Sequence, residues 1–148
     1  MTPEPPTVDY WHLYTDSDGV SHQRRCAMTE FEMKSISANT APQWQGRPSR
    51  GDMTVLVMVL PVGWVGAWHE NPKPQWIVPL SGCWFVESMD GTRVEMAAGE
   101  FSFGADQHSK DKEGKRGHRS GTVGELPAVL MVIQFNEARE PSLPCAVS

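Results

Sequence analysis

The chain has 148 residues, enough for one domain with a real hydrophobic core. Apolar residues make up 39% and charged residues 21%, the balance of an ordinary soluble globular protein, and the net charge of −5 argues against nucleic acid as a partner. No apolar run is long enough to span a bilayer. The start, "MTPEPPTVDYW", has neither the basic nor the apolar stretch of a secretory signal.

The three cysteines, Cys26, Cys83 and Cys145, are far apart and form no CxxC pair. This spacing predicts neither a disulfide framework nor a zinc knuckle, and a reduced, cytoplasmic location is expected. Twelve prolines and thirteen glycines punctuate short apolar runs, a pattern of strands and turns.

Residues 1–8 read as a polar, proline-rich leader. In "YWHLYTDSDGVSHQRRCAM", "DSDG" is a turn between two short strands, with Gly19 at the positive-φ position. "TEFEMKSI" alternates roughly and reads as a strand; residues 37–52 read as a loop. "MTVLVMVLP", 53–61, is almost continuously apolar, the signature of a strand buried on both faces. Gly63 and Gly66 suit a bend. "QWIVPLSGCWFVESMDGTRVEM" reads as strand, Ser-Gly turn, strand, Asp-Gly turn, strand, with Pro79 marking a strand end or an edge. "AAGEFSFG" is another short strand, 105–125 a long polar loop, 127–136 the last strong strand, and 137–148 a polar tail. No helix is predicted. At least seven short strands point to an all-β sandwich or barrel in a single domain, 9–136.

The central block, about residues 53–136, resembles the cupins, small jelly-roll barrels whose site lies inside the barrel mouth. The first cupin motif falls on Gly63, His69, Asn71, Gln75 and Gly82; the spacing from His69 fits, with Asn71 at the second histidine and Gln75 at the glutamate. The second falls on Gly91, Ala97, Gly99 and Ser102, where alanine replaces proline and serine replaces histidine. The glycine frame is kept, while one of four metal-ligand positions is. The resemblance implies a cupin-type jelly-roll β-barrel and a homodimer paired through a sheet edge.

His69 is the leading catalytic and metal-ligating residue, at the matching ligand position. His118, in "GHRS", stands in for the missing second-motif histidine if the polar loop folds back over the mouth, and is otherwise an exposed loop histidine. Gln75 coordinates weakly through its amide oxygen or hydrogen-bonds substrate; an inward polar residue that supports the fold is the other reading. Asp106 is a third metal ligand or orients an imidazole; a turn residue is the simpler reading. Gln134 needs a partner if buried, on a face shared with Leu130 and Val132. Among four clustered tryptophans, Trp68 and Trp76 are candidates to hold a planar substrate, although core packing accounts for any one of them. "KDKEGKRGHR" is a solvated loop or a lid, with Arg119 as the carboxylate partner. His12, His22 and His108 read as surface residues, and Cys83 as a small core residue.

Two chemistries follow. In the first, His69 and His118 with Gln75 or Asp106 hold one divalent transition metal (Fe, Zn, Mn or Ni) and the protein oxygenates, decarboxylates or isomerises a small organic acid, aromatic or keto acids included. In the second, no metal is used, and a histidine works as acid/base in a lyase, isomerase or cyclase. A module that binds a metabolite without turnover is the third reading.

Overall fold

The computed structural model describes residues 4–137 and 144–145. Among them there are eleven strands and no helix: β1 (Val8–Thr15), β2 (Ser21–Met28), β3 (Phe31–Lys34), β4 (Gln43–Gly46), β5 (Met53–Leu60), β6 (Gln75–Ser81), β7 (Cys83–Ser88), β8 (Arg93–Ala97), β9 (Ser102–Ala105), β10 (His118–Val123) and β11 (Ala128–Phe135). Among the described residues no helix is long and apolar enough to cross a membrane.

The strands form a six-stranded sheet in the order β2-β1-β9-β6-β11-β5, a three-stranded sheet in the order β10-β7-β8, and a separate β3–β4 ribbon. Every neighbouring pair is antiparallel except β1 and β9. The sheets do not close into a barrel.

The two larger sheets share one apolar layer. Leu13, Leu60, Ile77, Ala128, Leu130 and Val132 from the first meet Trp84, Val86, Val94 and Met96 from the second. Each Leu, Ile, Val or Met side chain buried so fully stabilises the fold by about 1.5–3 kcal/mol. The opposite face of the six-stranded sheet carries a second cluster of Tyr10, Cys26, Phe103 and Phe135, with Trp76, Phe101 and Met53 against it.

Turn chemistry follows the sequence closely. Gly19 has φ 82°, and Asp16 Oδ1 accepts the N–H groups of Asp18 and Val20 at 2.8 and 3.0 Å. These donors hold the Asp16 carboxyl below its ordinary range, the Val20 N–H contributing most.

Several expectations need correction. The 37–52 loop contains β4, and the 105–125 loop contains β10; both strands are short, polar and glycine-containing, so periodicity hides them. β5 is not buried on both faces. It is an edge strand, and Val55, Val57 and Val59 are exposed. Pro79 lies in a central strand, but β9 pairs only with Gln75–Ile77, and the pairing with β11 shifts register beside Pro79. The missing N–H is thereby tolerated.

Cys26 and Cys145 form a disulfide across 119 residues, where the cysteine spacing predicted no disulfide framework. Disulfides persist where the surroundings are oxidising, so cysteine spacing no longer argues for a reducing compartment. Cys83 is half-buried and free, its thiol pushed up by burial. His12 is fully buried rather than on the surface, its Nδ1 accepting the Cys145 N–H at 3.0 Å. Burial pulls its pKa down to about 4. His22 is half-buried between Asp16 and Asp90, at 2.6 and 2.9 Å.

Candidate functional site

In a strand, successive side chains alternate between faces. Gln75 of β6 and Gln134 of β11 therefore share the inward face with Ile77 and Val132, and the two are register partners. On β10 the same alternation turns His118 inward with Ser120, opposite Ser88 and Val86 of β7. At this end of the sandwich, the segment between β5 and β6 passes beside β10. His69 and His118 exchange both backbone hydrogen bonds at 2.9 Å.

Gly117 makes that approach possible. A Cβ there would lie 2.3 Å from the His69 carbonyl oxygen, and its φ of +65° is one that glycine adopts without strain. The polar loop before it is tied down rather than free. Glu70 Oε1 accepts from the Ser109 N–H, the Ser109 hydroxyl and Arg116 Nε at 3.0, 2.7 and 3.2 Å.

The loop thus brings Asp106 against His118. The His118 Nδ1–H donates to Asp106 Oδ2 at 2.7 Å. Both residues are buried, with relative exposures of 4% and 0%. Burial alone would push the Asp106 carboxyl up. The hydrogen bond and charge of His118 and the donors of Asn71 outweigh it, and the carboxyl lies below its ordinary value.

A carboxylate only accepts, so His118 carries its proton on Nδ1 and, when neutral, leaves a lone pair on Nε2. His69 reaches the same state differently, its Nδ1–H donating to the Ala67 carbonyl at 2.7 Å. The two rings lie 4.6 Å apart, centroid to centroid.

Asn71 completes the site and was not among the expected functional residues. Its backbone N–H and its Nδ2 both donate to Asp106 Oδ1, at 2.9 and 2.8 Å. Gln75 Nε2 donates to Asn71 Oδ1 at 2.7 Å, and Gln134 Nε2 donates to Gln75 Oε1 at 2.9 Å. The signal for Asn71 was its place at the second histidine of the cupin-like spacing.

The structure thus brings together His69, Gln75, Asp106, His118 and Gln134, and it separates three others. Trp76 faces outward on β6, packed on Tyr10, Phe101 and Phe103. Arg119 faces away from His118, because neighbours on a strand point oppositely; it pairs with Glu87 at 2.8 Å. Trp68 lies under Arg119 and Lys115, at 5.7 and 5.6 Å. None of the three is placed to hold substrate beside His118.

The expected metal set does not fit. Among the described residues no group of three or more His, Cys, Asp or Glu is placed to hold a metal ion. Asp106 is taken up by His118 and Asn71, and both ends of the Gln75 amide are engaged. The two Nε2 atoms remain, fewer than the three protein ligands of an ordinary catalytic zinc site.

Comparison with protein-family models gave no match, and comparison with curated proteins gave none either. The cupin resemblance therefore rests on the motif spacing.

Proposed function

We propose that the chain is a small cupin-like jelly-roll enzyme in which His118, oriented by Asp106, is the general base, acting on a small organic acid with a proton beside a carbonyl. The observation that carries this reading is the buried 2.7 Å bond from His118 Nδ1–H to Asp106, which leaves Nε2 as the basic atom. A histidine of this kind contributes roughly 10²–10⁴-fold to rate.

His69 supplies the complementary group. Protonated, it donates from Nε2 to the substrate carbonyl oxygen while its Nδ1–H stays on Ala67. The carbon proton moves to His118, the His69 proton moves to oxygen, and an enol results. Its return by another carbon gives isomerisation; loss of a leaving group gives a lyase.

The test is proton exchange. Wild-type protein is incubated in D₂O with a panel of keto, hydroxy and aromatic acids, and exchange at carbon is followed by NMR. Exchange that survives a chelator and falls roughly 100-fold or more in His118→Gln supports the reading. Exchange lost in chelator, with metal that disappears from His69→Ala, replaces it with a metal site. Thermal stabilisation by a ligand without exchange marks a binding module.

We infer also that a second copy of the chain packs on the outward side of β5, β6 and β11. Val55, Val57, Val59 and Leu80 are exposed there, and none of the three strands presents a charge on that side. Contiguous apolar surface on an edge strand is a pairing surface unless it is covered.

A further inference from the structure

The amides of the site all point the same way. Gln134 donates to Gln75, Gln75 donates to Asn71, and Asn71 donates to Asp106. We propose that Asn71, Gln75 and Gln134 are positioning residues, a one-way chain of donors that ends on Asp106 and holds its carboxylate to Nδ1 of His118. The proposal rests on His118 being the working base, and it changes the role of two residues. Gln75 and Gln134 act on the base through Asp106 and do not bind substrate.

The direction of the chain follows from Asp106. An ionised carboxylate offers acceptors alone, so Asn71 must present Nδ2 to it. That leaves Asn71 Oδ1 for Gln75, whose amide must then present Nε2, and the same choice passes to Gln134. Turning over Asn71 or Gln75 would set oxygen against oxygen on one side and N–H against N–H on the other; turning over Gln134 would set its oxygen against Gln75 Oε1. In this buried site each such clash strands polar groups without partners. Asp106 therefore collects three donors, two from Asn71 and one from His118.

A second feature is built around the same chain. Gly104 of β9 is the register partner of Gln75. A Cβ on Gly104 would lie 2.5 Å from Asn71 Nδ2 and 2.8 Å from Oδ1. Its backbone needs no glycine, so the empty space serves the Asn71 amide. Gln107 Nε2 steadies the same residue through its backbone carbonyl at 2.9 Å.

The charged and titratable groups around Asp106 are few. His118 touches it. His69 lies beyond His118, and Glu70 with Arg116 lies next along the chain. Asp106, held below its ordinary value, stabilises the fold above the unfolded carboxyl pKa of about 4. That stabilisation is lost as pH falls through the folded value.

The test is urea unfolding of the full chain between pH 7 and pH 3, for wild type, Asn71→Leu, Gly104→Ala and Gln134→Leu. If the chain acts on Asp106, each variant loses stability most at pH 7, and the gap to wild type closes as pH falls below about 4. The loss decreases from Asn71→Leu to Gln134→Leu, which touches neither Asp106 nor His118. Gly104→Ala behaves like Asn71→Leu although it removes no hydrogen-bonding group. A gap that stays constant with pH in all three overturns the proposal, because lost packing has no such dependence. Should Asn71→Leu fail to fold, Gly104→Ala and Gln134→Leu decide alone. No substrate is involved, so failure to find a reaction and failure of the donor chain are read separately.

Discussion

On β6 and β11, Gln75 and Gln134 face the space between the sheets, while their chain neighbours Trp76 and Phe135 face the other way. One residue of offset separates a hydrogen-bonded chain of amides from an aromatic cluster. The two sides are held by different physics. The inward side depends on every polar group finding its partner, so losing one strands the others. The outward side depends on buried area and close packing, and each loss there is local. The comparison teaches that one sheet carries a site on one face and structural cohesion on the other.

The largest effects should break the two sides in distinguishable ways. Asp106→Ala strands the Asn71 donors and the His118 Nδ1–H, and removing one partner of a buried pair costs about 3–5 kcal/mol. Phe103→Ala, on the outward face and 2% exposed, costs about the same through lost packing. Urea unfolding across pH separates them. The Asp106→Ala loss shrinks below about pH 4, where the unfolded wild-type carboxyl takes up its proton while the folded one, held below its ordinary value, still resists it. The Phe103→Ala loss does not follow that titration. Parallel curves for both would mean the inward chain is held like an ordinary core.

A somewhat smaller effect sharpens the same contrast. His12 sits on the outward face, fully buried, with a pKa lowered to about 4. In the unfolded chain its value is about 6.5, so the unfolded state binds the proton first. His12 stabilises the fold at neutral pH, and that contribution falls away between about pH 6.5 and pH 4. The full change is worth up to roughly 3 kcal/mol. His12→Phe should flatten stability across that window while leaving the Asp106-dependent loss below pH 4 in place. Each face then has its own acid window. A wild-type curve flat from pH 6.5 to 4 would refute the assignment for His12.

The smallest effect on the single chain is expected at β5. Val57→Asp changes an exposed side chain, 56% accessible, and should alter unfolding by no more than about 0.5 kcal/mol. It should nonetheless abolish pairing of two copies, read by sedimentation equilibrium. A wild-type chain that sediments as a monomer, or a variant that still dimerises, removes this face as the interface.

Much of the fold was legible because its signals are local. Asp-Gly and Ser-Gly pairs mark the turns at Gly19, Gly82 and Gly91, each with positive φ, and the apolar runs between them are strands. The choice of His69, Gln75, Asp106 and His118 as candidates also came from spacing and residue type. β10 was missed because "HRSGTV" has no apolar alternation; its pairing with β7 makes it a strand. The sides taken by Trp76 and Arg119 were not legible, because alternation tells which residues share a face, but not which face looks inward.

The amino-acid sequence by itself determined an all-β chain, its turns and the polar residues set among apolar strands, since backbone preference and period-two patterning act over a few residues. Tertiary structure alone decided that Cys26 meets Cys145, that His12 is buried, and that Asp106 takes the proton-bearing side of His118. It also decided the direction of the amide chain. These depend on contacts between distant segments, and the orientation of each amide is fixed by a single buried carboxylate that none of them neighbours in sequence.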